Sequence, residues 1–189
     1  AGLYTTVKWN RWETLITAIF LHGSVLHILF NMLWFRHLAP AVEEFYDAAR
    51  FFLIFILTGI AGNLASILIE QPGTLVGASG SVFGLFGALI WYGYKRGGVI
   101  GSQVLKFGMI WAGIGMLLSF MPGMRISWAA HAGGLAAGFL LGSLFGFKEQ
   151  KRSGLGICLA ALIAGIAVLA AFSIYFFLPP QGLQELLER

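Results

Sequence analysis

Six stretches of this chain, 18 to 25 residues each, contain no Lys, Arg, Asp or Glu: 15–35, 51–69, 75–94, 107–124, 126–147 and 154–178. A helix needs roughly 17–25 apolar residues to cross the hydrocarbon core of a bilayer. Within each stretch the apolar positions run on without alternating, which predicts helices and not the strands of a transmembrane barrel. Only 11% of the 189 residues are charged and 58% are hydrophobic, against roughly a quarter charged in an ordinary soluble domain. Too few charges remain to cover a water-facing surface, so the soluble and disordered classes are excluded. Cys158 is the only cysteine, so an internal disulfide is ruled out. The fold class read from this pattern is all-α, a polytopic membrane bundle of six spans.

Breakers separate the spans: Pro40, the run Gln71, Pro72 and Gly73, the pair Gly97 and Gly98, Pro122 with Gly123, and Pro179 with Pro180. One set of alternate loops carries Arg36, Arg50, Lys95, Arg96, Lys106, Lys148, Lys151 and Arg152; the other carries Lys8, Arg11, Arg125 and Arg189. Basic loop residues stay cytoplasmic, so the richer set is assigned to that side and the N-terminus to the outside. Residues 1–12 have no apolar region of the kind a cleavable leader needs, and a preceding span is expected.

Polar side chains inside spans are costly and call for a reason. For a lone serine, or for Asn63, packing between helices and bonding to its own backbone is reason enough. Ser79, in Gly77-Ala78-Ser79-Gly80, and His131, in Ala130-His131-Ala132-Gly133-Gly134, ask for more. Each stands four or five residues inside the outer end of its span, which at 1.5 Å per residue is roughly 6–8 Å below the same membrane face. Ala130, Gly134, Gly138 and Gly142 form a four-residue stripe on one helix; Gly80, Gly84 and Gly87 or Ala88 form another. Such stripes let helix backbones approach closely in lipid, and docking them brings the hydroxyl and the imidazole together.

A serine beside a neutral imidazole is the minimal unit for nucleophilic acyl transfer. The only Asp, Asp47, falls in a loop assigned to the opposite side, so a dyad is expected. The unpaired N–H groups at the start of the Ser79 helix can stabilise an oxyanion. His27 and Asn31, one helical turn apart, can add donors if their helix starts at Ser24, a good N-cap, and runs to about residues 40–43. Residues 11–23 then form a half-submerged segment of the outer leaflet.

These residues resemble the rhomboid intramembrane serine proteases. The matching pieces are residues 22–32 (HGSVLHILFNM), 77–80 (GASG) and 130–138 (AHAGGLAAG), three motifs in order, within a resemblance covering residues 12–147. The resemblance implies Ser79 as nucleophile and His131 as general base and acid. It implies Asn31, His27 and the Ser79 backbone N–H as oxyanion donors, and Glu43 as a structural residue. Phe30, Trp111 and Phe83 are the residues implied at a lateral substrate entrance; Phe83 also stands where the family commonly has Tyr and keeps an aromatic face for His131. Single-pass transmembrane proteins are the implied substrates and the bilayer the implied solvent, with no metal, no cofactor and no nucleic-acid partner. A bacterial inner membrane is the implied location, with the site facing the extracytoplasmic side. The organisation expected is an interfacial segment 1–23, a rhomboid-like catalytic core 24–147, an additional C-terminal transmembrane helix 154–178 and a short tail 179–189. The chain begins after the position of the family's first span, and Arg11-Trp12 reverses a family Trp-Arg pair. Two other functions fit the residues less well: a catalytically silent relative that binds membrane clients, and a metal transporter lined by His22, His27, His37 and His131.

Overall fold

The structure, a computed structural model, describes residues 2–71, 74–121, 126–149 and 154–177. The breakers Pro72, Gly73, Pro122, Gly123, Pro179 and Pro180, the basic residues Arg125, Lys151, Arg152 and Arg189, and the tail 179–189 lie outside the described residues. So does Leu178, the last residue of the sixth apolar stretch.

The described residues form α1 (Thr14–Phe20), α2 (Val25–Tyr46), α3 (Ala48–Ile69), α4 (Ser79–Arg96), α5 (Gly98–Leu118), α6 (Trp128–Phe145) and α7 (Leu155–Phe177), after a short helical turn at Leu3–Lys8. The described residues thus form an all-helical bundle, as the apolar runs imply. Five helices, α2, α3, α5, α6 and α7, are long and apolar enough to cross a membrane. α4 stands outside that set because two serines, four glycines, Lys95 and Arg96 dilute its apolar residues. It is nevertheless the centre of the bundle: twelve of its eighteen residues are buried, against one of the twenty-three in α7. α2, α3, α5 and α6 pack around it, and α7 packs outside α3 and α1.

Ser24 caps α2 by accepting from the His27 N–H at 3.2 Å. The helix then runs past Pro40, which sits inside it and does not break it. Apolar burial on both sides of the proline carries the helix on: Leu38, Val42 and Tyr46 are fully buried on one face. α3 follows after Asp47 alone, whose backbone is held at φ 72° and whose side chain accepts from the Arg50 N–H at 3.1 Å. Arg50 is therefore a buried helix residue paired with Asp47, not a loop residue. Arg36 and Lys106 likewise lie on helices; both are exposed, which lets their long side chains reach for a polar boundary. α5 begins at Gly98, well before the charge-free run at Phe107. Gly97, at φ 62°, makes the α4–α5 turn in a conformation that L side chains rarely adopt.

Glycines set the spacing of α4 and α6. A Cβ added to Gly134 would lie 2.0 Å from the Gly80 carbonyl oxygen, and one on Gly138 would lie 1.9 Å from that of Gly84. On the opposite side a Cβ at Gly87 would meet the Leu135 oxygen at 2.2 Å. The two stripes therefore touch backbone to backbone, the close approach that small residues permit in lipid. α3 joins through Gly62, where a Cβ would lie 2.7 Å from the Ala130 oxygen and 3.2 Å from the Gly80 Cα. At the far end of α4, Tyr46 donates to the Ala88 carbonyl at 2.9 Å, over Gly142.

Residues 2–23 are tied to the bundle. Leu15, Ala18 and Ile19 are buried, and the Asn63 amide donates to the Leu15 carbonyl at 2.8 Å. A Cβ on Gly59 would lie 2.5 Å from Ile19, so that glycine makes room for α1.

Candidate active site

One end of the bundle collects the starts of α2, α4 and α6 and the ends of α3 and α5. Ser79 is the first residue of α4 and is half-buried. Its N-cap, Ala78, supplies no side-chain acceptor, so the first-turn N–H groups, including that of Ser79, point out of the helix without intrahelical partners. The preceding Gly77 has φ 129° and its N–H donates to the Ala18 carbonyl at 2.8 Å. A Cβ there would lie 2.6 Å from the Cε1 and 2.7 Å from the Nε2 of His27. Only glycine fits this position on both counts, and its bareness seats the His27 imidazole against the backbone two residues before Ser79.

His131 lies in the first turn of α6 and is 5% exposed. Its ring stacks on Phe83 with centroids 3.9 Å apart and planes 13° from parallel. Phe83 follows Ser79 by four residues, so the two share one face of α4; the imidazole is thus laid along the face that carries the hydroxyl. Gly115 on α5 leaves room for Phe83, since a Cβ there would lie 2.8 Å from its ring. The Nδ1 of His131 is 2.8 Å from the Ser119 Oγ. Its Nε2 is buried and has no hydrogen-bond partner, so no hydrogen bond joins it to Ser79. In free enzymes such contacts often close only with substrate bound.

The start of α6 is held from α3. Ser127 caps it by accepting from the Ala130 N–H at 2.9 Å. The Glu70 carboxylate accepts from the Ser66 hydroxyl at 2.8 Å, from the Ala129 N–H at 3.3 Å and from the Ser127 hydroxyl. Ser66, which in sequence looks like ordinary packing, therefore belongs to a polar clasp.

Asn31 is buried on α2 and its amide donates to the His27 carbonyl at 2.9 Å, within its own helix. His27 is half-buried and meets His22 edge-on, with ring centroids 5.2 Å apart. Phe30 is exposed on α2. Trp111, on α5, is partly exposed and packs against Trp34 of α2 at 4.9 Å, so it lies at the α2–α5 seam. Glu43 is exposed, near the other end of α2. Among the described residues no three His, Cys, Asp or Glu side chains converge.

Ser119 and Glu70 are the participants that sequence reasoning misses. Ser119 is one more hydroxyl in an apolar run, and Glu70 falls just beyond the charge-free stretch 51–69. Only the contact between helices gives either one a role.

The Rhomboid domain family matches residues 9–148. YdcA of Bacillus subtilis, provisionally named a rhomboid protease, is 37% identical over 152 residues, covering 80% of this chain and 76% of that protein. The rhomboid protease GluP of Bacillus subtilis is 32% identical over 166 residues, covering 86% of this chain and 32% of that protein. RHOMBOID-like protein 1 of Arabidopsis thaliana is 32% identical over 156 residues, covering 76% and 36%. The chain thus spans about three quarters of the first relative and about a third of the other two.

Proposed function

The chain belongs to the rhomboid family, and we propose that it is an intramembrane serine endopeptidase in which Ser79 is the nucleophile and His131 the general base. The observation that carries this reading is the His131 ring laid flat on Phe83, along the Ser79 face of α4, with Nε2 unoccupied.

In the reaction proposed, Ser79 Oγ attacks the scissile carbonyl as Nε2 of His131 takes its proton. The tetrahedral oxyanion forms beside the uncapped start of α4, where the Ser79 N–H and the positive end of the helix dipole favour negative charge. His27, seated against Gly77, is one further donor. Asn31 becomes another once its amide leaves the His27 carbonyl. His131 then gives the proton to the leaving amine, and water, activated by the same nitrogen, releases the acyl group from Ser79.

Substrates in this reading are single-pass transmembrane proteins, entering across the α2–α5 seam past Phe30 and Trp111. The exposed apolar faces of α2 and α5 support a route through lipid. The site opens on the extracytoplasmic side of a bacterial inner membrane, the side assigned by the basic loop residues. Reconstitution with a reporter transmembrane substrate tests the proposal. Cleavage by the natural sequence and none by Ser79→Ala or His131→Ala, each still folded, is the expected result. Turnover by either variant refutes the dyad, and substrate capture without cleavage by the natural sequence favours a silent, client-binding relative.

A further inference from the structure

A base made from histidine needs its second ring nitrogen fixed, because only one of the two neutral tautomers leaves Nε2 bare. The usual fixing group is a carboxylate. Here Asp47 lies at the α2–α3 junction, at the other end of the bundle, and the Glu70 carboxylate is engaged by Ser66, Ser127 and the Ala129 N–H. The partner of Nδ1 is Ser119, the C-cap of α5, which is 7% exposed.

The hydroxyl of Ser119 has one proton and two neighbours. It lies 3.1 Å from the Gly115 carbonyl oxygen and 2.8 Å from His131 Nδ1. A carbonyl can only accept. With the hydroxyl proton committed to Gly115, the contact to Nδ1 is satisfied only if Nδ1–H donates to Ser119 Oγ. We propose that Ser119 is a positioning residue for this reaction, which holds His131 as the Nδ1–H tautomer and so leaves Nε2 as the bare base. The inference rests on His131 being the base proposed above. It adds that α5 takes part in the chemistry through a hydroxyl standing where other serine hydrolases place a carboxylate. Phe83 and Ser119 divide the work: the ring fixes the imidazole plane, and the hydroxyl fixes its rotation within that plane.

Two measurements test it. Nitrogen-15 spectra of histidine-labelled protein in bicelles near neutral pH should show His131 protonated at Nδ1 and bare at Nε2; the opposite tautomer overturns the inference. Ser119→Ala should lower kcat about ten- to a hundredfold with KM unchanged, less than the roughly 10⁴ lost where a carboxylate partner is neutralised. Ser119→Thr, which keeps the hydroxyl, should restore most of that loss, a recovery that mere space-filling does not predict. A wild-type kcat in Ser119→Ala, with His131→Ala inactive, removes the role of Ser119 alone. Turnover in His131→Ala removes the base assignment itself.

Discussion

Replacing Gly134 by alanine should disable the enzyme without touching a reacting group. The new Cβ would lie 2.0 Å from the Gly80 carbonyl oxygen, and real Cβ contacts do not fall below 3.0 Å, so α4 and α6 must part by about 1 Å. Nothing local can absorb the shift, because the obstructing atoms belong to the backbone of a helix. Gly134 is one turn beyond His131 and Gly80 adjoins Ser79, so the displacement falls on the gap between hydroxyl and imidazole. A misplacement of 1 Å at reacting groups costs about 10²-fold in rate, and overpacking of this kind costs roughly 1–3 kcal/mol of stability. Initial rates on a reporter transmembrane substrate give kcat and KM, and thermal unfolding in detergent monitors the fold. Gly165→Ala on α7, where an added Cβ meets nothing within 4 Å, is the matched control and should behave as wild type. If Gly134→Ala stays folded and keeps kcat within about twofold, close α4–α6 packing does not set the catalytic geometry.

Other substitutions separate chemistry from scaffold. Asn31→Ala should lose about 2.7–4 kcal/mol of transition-state stabilisation if its amide turns toward the oxyanion, read as a fall in kcat of about 10²–10³ at unchanged KM. Glu70→Ala removes the acceptor that ties Ser66, Ser127 and Ala129 together; a loss of about 1–3 kcal/mol of stability and a lower kcat should appear together, in unfolding and rate measurements. Tyr46→Phe deletes the bond to Ala88 at the far end and should cost about 1 kcal/mol while kcat is unchanged. His22, in the loop between α1 and α2, is held below its ordinary value of 6.5 by burial, with the Phe20 backbone opposing. Its stabilising effect is present above that value and is lost as pH falls, because the unfolded chain takes the proton first. His22→Asn should flatten the decline in unfolding temperature measured below about pH 6.5.

Much of the architecture is legible in the sequence because lipid imposes a simple rule: the charge-free runs mark where backbone must be helical. Helix ends are less legible. Pro40 reads as a breaker, yet buried Leu38, Val42 and Tyr46 hold the helix together on both sides of it. Arg50 and Lys106 read as loop residues, but pairing with Asp47 and exposure at the helix surface let each sit on a helix. α4 shows the converse, since a helix buried among other helices need not be as apolar as one facing lipid. At the site, counting residues sets Ser79 and His131 at one depth, and the glycine stripes predict which helices touch. The clasp of Glu70 and the contact from Ser119 follow no periodicity: each joins residues from different helices whose relative rotation the one-dimensional pattern does not carry.

Covalent capture of the nucleophile bears most directly on the proposed chemistry. Treating the membrane-embedded protein with a fluorophosphonate and mapping the adduct by peptide mass spectrometry should place the phosphonyl group on Ser79, with labelling lost in His131→Ala. An adduct on a different residue, or equal labelling of Ser79 without the imidazole, contradicts a serine activated by His131.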